Sequence, residues 1–187
     1  MPLADVEPSP ALSQVGRTWP TEGRVIGIVT GGADLEGVNA VRQAVLNAGM
    51  VPLVVAPTGG TLGSGDAALT VQRSYVTARS VEFDAVLIAG APDMGGDAYT
   101  PRDYKSGPAP ARPATTDPRV SLLVSEAFRH GKAIGVWAGG EVALEASGVP
   151  ADAPGVVVAD SGTAALEQVT GLLGAHRVWE RFTTPRG

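Results

Sequence analysis

Short, mainly apolar runs alternate along the chain with segments in which apolar residues recur every three or four positions. The runs span residues 24–30, 51–57, 83–91, 133–137 and 155–160. Runs of this length, bounded by glycine or proline, predict buried strands of a parallel sheet. Residues 68–75 alternate more loosely and predict an edge strand, and the preceding TLGSG, at 61–65, predicts a turn.

Four helices are predicted between and after these runs, each from an apolar stripe at helical spacing. The first ends at a glycine, and the second covers 119–131 with Asp117 as its N-cap. The third follows the run at 133–137 after a glycine turn. The fourth is capped by Ser161 and loses its stripe after Leu173, because the next residue is a glycine.

This alternation predicts one α/β domain built on an open, mainly parallel sheet with helices on both faces. Residues 1–23 contain four prolines and no sustained period, so they predict a linker. The domain then covers 24–182, and 183–187 form a tail. Within it, the Pro- and Gly-rich stretch 92–118 is too long for an ordinary connection and predicts a large surface loop.

The stretch AIGVWAGGEVALEASG, at 133–148, is predicted to be a strand that turns sharply into a helix. Some α/β enzymes hold a nucleophile at such a turn, beside the N–H groups of the helix N-terminus. The turn comprises Trp137, Ala138, Gly139, Gly140 and Glu141. Neither candidate position, Trp137 or Ala138, carries a nucleophilic atom. Packing of the Trp137 indole, with its N–H bonded, is the alternative to stacking on a ligand.

Other strand ends supply further candidates, because the ligand crevice of such a sheet lies beyond the carboxyl ends of its strands. Asp34 and Glu36 follow the first strand, where an acid can poise a nucleophile across the crevice. The alternative is that two acids favour the start of a helix. Gly90 lies at the end of the third run, and tight turns need glycine for backbone reasons alone.

Composition excludes several kinds of chemistry. Cysteine is absent, which removes disulfides, thiolate metal sites and cysteine catalysis. The two histidines, His130 and His176, have no partner at ligand spacing, so neither a metal site nor a Ser–His–Asp triad is predicted. A net charge of −5 argues against nucleic acid. No run approaches the roughly 20 apolar residues that span a membrane, and no export signal opens the chain, so a cytoplasmic location is predicted.

Several separated stretches resemble one family. FDAVLIAGAP, EAFRHGKAIGVWAGGEVALEASGVP and AHRVWERF, with the lead-in SPALSQ, resemble the C-terminal domain of large-subunit catalases over roughly residues 8–182. The resemblance implies a flavodoxin-like, class I amidotransferase-like fold related to PfpI-type proteins. In those relatives the nucleophilic cysteine matches Trp137 and a glutamate matches Leu35. Both departures fit the large-catalase domain, which lacks PfpI chemistry.

The resemblance also limits the cofactor. A large catalase carries its haem, distal histidine and proximal tyrosine in a preceding domain, which no segment here resembles. Tyr75, Tyr99 and Tyr104 fall in an edge strand and a loop. We therefore expect no cofactor in this chain, and a catalytically inactive accessory domain that stabilises, oligomerises or assists a catalase in hydrogen peroxide detoxification.

Two other functions remain open: a PfpI-like hydrolase, glyoxalase or deglycase, and a small-molecule binding module at the strand-tip crevice. The closing segment, HRVWERF at 176–182, is a docking candidate, because Val178, Trp179 and Phe182 fall on one helical face. Packing of this segment on its own sheet is the alternative. The partner implied by the family is a haem-catalase core or a second copy of the chain, with no nucleic acid and no membrane.

Overall fold

The computed structural model describes residues 9–65, 68–92 and 116–183. The strands are β1 (Val25–Thr30), β2 (Val51–Ala56), β3 (Gly60–Leu62), β4 (Leu69–Val71), β5 (Arg73–Ser74), β6 (Ala85–Ala89), β7 (Ala133–Trp137) and β8 (Val156–Val158). The helices are α1 (Leu35–Asn47), α2 (Pro118–Arg129), α3 (Glu141–Ala146), α4 (Gly162–Leu173) and α5 (Glu180–Thr183), with a 3₁₀ turn at Ser80–Glu82.

Six of the strands form one sheet in the order β5-β2-β1-β6-β7-β8, and every neighbouring pair is parallel. The register places Val29 between Val55 and Ile88, and Ile88 beside Val136. The run β2-β1-β6-β7-β8 follows the flavodoxin-like order 2-1-3-4-5. The α/β fold class predicted from the sequence is therefore confirmed.

The sheet is covered on both faces. Alternate strand residues point to opposite sides, so Ile26 and Leu87 lie in one core and Val86 and Ile134 in the other. Helices α1 and α4 cover the first face, and α2 and α3 cover the second. Because both faces are buried, strands β6 and β7 contain no exposed residue.

The prediction of one edge strand over 68–75 and a turn over 61–65 is confirmed only in part, because β5 is the edge strand of the main sheet but the stretch is not one continuous strand. Residues 60–62 form β3, which pairs antiparallel with β4 in a separate two-stranded ribbon. The predicted edge strand is divided at Gln72. The side-chain Oε1 of Gln72 accepts a hydrogen bond from the Val54 amide at 2.7 Å, and the Gln72 amide donates to the Val54 carbonyl at 3.0 Å. Only β5, after this break, joins the main sheet beside β2.

The helix boundaries follow the predicted caps. The Asp117 side chain accepts a bond from the Arg119 amide, and Ser161 caps α4 through the Ala164 amide. Helix α4 ends at Leu173, as predicted. Of the predicted loop 92–118, residues 93–115 lie outside the described residues, and Pro118 is already helical.

The two ends of the chain carry the predicted linker and tail. Residues 9–24 form turns without a helix or strand. The Trp19 amide donates to the Gly174 carbonyl at 2.8 Å, so this segment contacts the end of α4. The linker and tail assignments themselves stay predictions; residues 1–8 and 184–187 lie outside the described residues.

We expect Gly135→Ala to destabilise the domain by about 1–3 kcal/mol, because the added methyl overpacks a filled core. A Cβ there would lie 2.6 Å from Leu87 Cδ2 and 3.1 Å from Val169 Cγ2. Gly171→Ala is the matched control, since no atom lies within 4 Å of its Cβ and the helix gains about 0.5–1 kcal/mol. Chemical denaturation measures both; equal midpoints for the two variants would contradict the packing described here.

Candidate functional site

The turn between β7 and α3 has the backbone of a nucleophile elbow without its reactive group. Ala138 has a φ of 51°, the left-handed strain typical of such a turn, and its side chain is exposed. Gly140 is required, because a Cβ there would lie 2.7 Å from the Ile88 carbonyl oxygen. The elbow position therefore belongs to Ala138, and a methyl group stands where a hydroxyl or thiol would be needed.

Two of the amides at this turn donate to backbone carbonyls. The Gly140 amide donates to the Trp137 carbonyl at 3.0 Å, and the Val142 amide is directed at the Gly139 carbonyl at 3.4 Å. Helix α3 has only six residues. An oxyanion hole needs donors free of backbone partners, so these two amides do not serve one. The expectation that this helix start offers N–H groups to an anion stays a prediction.

Trp137 is packed, and only 1% of its surface is exposed. Its indole Nε1–H donates to the Asp34 carboxylate at 2.8 Å, joining the ends of β7 and β1. Asp34 itself has a φ of 48° and caps α1 by accepting from the Gly37 amide. Gly162 lets the ring fit, because a Cβ there would approach Trp137 Cε2 to 2.8 Å.

A crevice of about 340 Å³ lies above this pair, between the starts of α1 and α4. Of the residues predicted for the site, the crevice brings together Asp34, Glu36, Trp137 and Ala138. It also contains residues that sequence reasoning missed, namely Asp160, Ser161, Gly162 and Thr163, beside Gly37 and Ala40. The signal for them was the fifth apolar run, whose carboxyl end lies at the same edge of the parallel sheet.

The crevice is acidic. Asp34, Glu36 and Asp160 supply three carboxylates, and none of its lining residues is a cation. Carboxylates without a cation oppose the negative charge that develops in acyl transfer. Beside these acids, the crevice lining holds the hydroxyls of Ser161 and Thr163, and its described residues contain no thiol and no cation.

The remaining predicted site residues lie outside the crevice lining. Leu35, the match for the relatives' glutamate, begins α1 and packs against the core. The buried Gly90 donates its amide to the Trp137 carbonyl at 3.0 Å. Gly139 and Glu141 are exposed, on the turn and at the start of α3.

The three docking candidates do not share one helical face. Helix α5 begins only at Glu180, after Val178 and Trp179. Val178 is buried, and its amide donates to the Gly131 carbonyl at 2.7 Å. Phe182 is 55% exposed, with its ring 6.3 Å from that of Trp179. The closing segment therefore packs on its own domain and presents mainly Phe182 outward.

A sequence profile of the C-terminal domain found in long catalases matches residues 22–183. The chain belongs to this family. It is 29% identical to Catalase HPII of Mycobacterium avium over 193 residues, which cover 94% of this chain and 25% of that protein. It is 27% identical to Catalase B of Aspergillus fumigatus over 141 residues, 74% of this chain and 18% of that protein. The chain thus spans a quarter or less of these long catalases.

The described residues of this catalase C-terminal domain do not fit a haem. The proximal ligand of a catalase haem is a tyrosine, but the buried Tyr75 hydroxyl donates to the Thr30 carbonyl at 2.8 Å. His130 is an exposed helix end, and His176 Nδ1 lies 2.9 Å from the Arg24 guanidinium. Tyr99 and Tyr104 lie outside the described residues.

Neither a metal centre nor a membrane-spanning helix is found among the described residues. No group of three or more histidine or acidic side chains is placed to hold a metal ion in this part of the chain. Over the same residues, no helix has the length and apolar character needed to cross a membrane.

We expect Trp137→Phe to lower the free energy of unfolding by about 1–3 kcal/mol, since it keeps a ring but removes the donor to the Asp34 carboxylate. Asp160→Asn, an exposed acid on the same crevice, is the control and should change stability by less than about 0.5 kcal/mol. Urea denaturation followed by circular dichroism measures both. An unchanged midpoint for Trp137→Phe would mean that the indole–carboxylate bond contributes nothing.

Proposed function

We propose that this chain is a catalytically inactive accessory domain of the long-catalase type, which stabilises or assembles a haem-catalase core that removes hydrogen peroxide. The observation that carries this proposal is the Trp137–Asp34 pair, which closes the crevice floor beside the elbow position with a buried ring and a bonded carboxylate. Ala138 at the elbow adds no reactive atom. Any haem would be held by the core, and a cytoplasmic location stays a prediction from the sequence.

Family membership supports the assembly half of the proposal. This chain covers only 25% and 18% of the two catalases that it matches. A large part of each catalase is therefore available as a neighbour for a domain of this kind. Phe182 is the docking residue in this proposal, because it is a half-exposed aromatic beside Trp179, and aromatic side chains are favoured interface anchors.

A second candidate is binding of a small molecule in the crevice. Its volume of about 340 Å³ and the Trp137 ring at its floor favour this function. Titration of tryptophan fluorescence with candidate metabolites separates the binding function from the accessory-domain function. A saturable response that is lost in Trp137→Phe would identify binding in the crevice. The accessory-domain proposal expects no saturable response from that residue.

We expect the purified chain to match buffer in methylglyoxal consumption and peptidase assays, and Trp137→Cys to remain inactive. A thiol at 137 would be buried, and burial in apolar surroundings raises a thiol pKa, which disfavours the thiolate. The variant should also lose about 3–5 kcal/mol of stability, as large-to-small core substitutions do. Turnover by the unmodified chain that vanishes in Asp34→Asn or Glu36→Gln would identify an enzyme and refute the proposal.

We expect Phe182→Ser to weaken binding of the chain to a haem-catalase core prepared without its own C-terminal domain. Leu122→Ser is the matched control, since Leu122 is a comparably exposed apolar residue, at 57%, on helix α2. Sedimentation velocity measures the complex, and thermal unfolding checks that both variants fold. Equal binding by the two variants removes Phe182 from the interface. Self-association lost only in Phe182→Ser identifies a second copy, not the core, as its partner.

A further inference from the structure

A cluster of charged side chains lies at the amino edge of the sheet, opposite the crevice. Arg24 precedes β1, Asp84 precedes β6 and Lys132 precedes β7. His176 and Arg177 reach the same edge from the closing segment. The proposed function uses none of these residues.

Arg24 joins three separate parts of the chain. Its Nε donates to the Pro20 carbonyl at 3.3 Å, and its Nη1 lies 3.0 Å from Asp84 Oδ1. The same Nη1 lies 2.9 Å from His176 Nδ1, across 152 residues of sequence. Arg24 thereby connects the segment that leads into the domain, residues 17–24, with the first residue of the closing segment.

The Arg24 contact fixes the protonation state of His176. A guanidinium has only donors, so at 2.9 Å His176 Nδ1 must be the acceptor. An imidazole that accepts at Nδ1 is neutral and carries its proton on Nε2. Arg177 Nη1 is a second donor, 3.3 Å from the same nitrogen, and it also requires His176 Nδ1 to be an acceptor.

Protonation would replace this acceptor with a donor among cations. The groups that act on His176 are Arg177, Arg24 and Lys132, which oppose a positive ring, and Asp84, which favours it. Burial and then Arg177 lower the pKa of His176 below the ordinary histidine value of 6.5. His176 also has a φ of 65°, a strained backbone that its contacts must hold in place.

We propose that His176 is a proton-sensitive latch, which ties residues 17–24 to the start of the closing segment while its ring is neutral and releases that turn when the ring is protonated. The turn released is His176–Val178, whose last residue is held by the bond from its amide to Gly131. The downstream part of the segment has separate anchors at Arg181.

The sign of the pH effect follows from the lowered pKa. A group with a depressed pKa in the folded state contributes stability that is present above its unfolded value, 6.5, and is lost as the pH falls through the folded pKa. The latch therefore weakens in mild acid and is intact at neutral and alkaline pH.

His176→Asn is the variant that tests the latch. Asparagine carries an amide oxygen where histidine carries Nδ1, so it can still accept from Arg24, and it tolerates the left-handed backbone. It cannot be protonated in this range. His130→Asn, at the exposed end of α2, removes the other histidine of the chain and is the matched control.

Denaturation midpoints from pH 8 to 5 give the first readout. We expect wild type and His130→Asn to lose stability relative to His176→Asn as the pH falls below 6.5, and all three to run parallel above 7.5. The His176 Cε1 proton should titrate with a midpoint below 6.5 in wild type. Parallel profiles throughout, or a midpoint at or above 6.5, would overturn the proposal.

Hydrogen exchange at pH 5.5 gives the second readout, with wild type compared to His176→Asn at the same pH so that intrinsic rates cancel. We expect the Val178 amide to exchange faster in wild type, while the β1 amides exchange equally in both. Equal acceleration at Val178 and in β1 would mean global destabilisation and would overturn a local latch. If His176→Asn does not fold, the wild type alone is measured across the titration of His176. Protection of its Val178 amide that does not fall relative to the β1 amides would also overturn the proposal.

Discussion

Burial of the sheet on both faces is the constraint from which the rest of the structure follows. Strands β6 and β7 are buried along their whole length, and the first core and the second core take alternate residues. A strand buried on both sides disfavours an unpaired polar side chain, because burying a polar group without a hydrogen-bond partner costs free energy of hydration. Polar side chains therefore lie at the two ends of the strands. Because the strands are parallel, residues that precede a strand lie at the amino edge of the sheet and residues that follow it lie at the carboxyl edge.

At the carboxyl edge, the space that serves chemistry in related folds is used for packing. The Trp137 ring closes the crevice floor, and its only polar atom is satisfied by Asp34. The same carboxylate caps α1, so one side chain both starts a helix and seals the strand end. Membership in a family of catalase domains does not by itself assign an activity to such a site.

The pattern of the sequence was enough for the elements but not for the contacts between distant residues. Five apolar runs predicted five strands of the main sheet, and Asp117 and Ser161 were identified as caps from their position alone. Local signals suffice there, because strands and caps depend on neighbours in sequence. The break in the edge strand lies at Gln72, whose side chain bonds a residue 18 positions away, and local alternation does not reveal such a bond.

The site was predictable to the same extent. Parallel topology brings Asp34 and Trp137 to one edge, which the sequence predicts, but the bond between them spans 103 residues and depends on the rotation of one indole. The helical spacing of Val178, Trp179 and Phe182 predicted a shared face that does not exist, because α5 begins after the first two residues. The sequence gives His176 no partner at ligand spacing, and its contact with Arg24, 152 residues away, leaves no trace in the local pattern.

At the amino edge, cations are held mainly by carbonyl oxygens. The buried Lys132 Nζ donates to the carbonyls of Ser80 and Phe83, and Arg181 donates to those of Pro154, Phe128 and Lys132 itself. Phe128 lies in the last turn of α2, where carbonyls lack helical partners and the helix dipole favours a cation. Burial still lowers the pKa of Arg181, to about 10, which leaves it charged at neutral pH.

The carbonyl contacts of Arg181 and the ring contact of His176 respond differently to pH, so the two ends of the closing segment are held differently. Carbonyl oxygens do not titrate between pH 5 and 8, so the Arg181 contacts hold the far end of the segment across that range. The His176 contact holds the near end only while the ring is neutral. A segment with one permanent and one titratable anchor opens at a single point, next to residues 17–24.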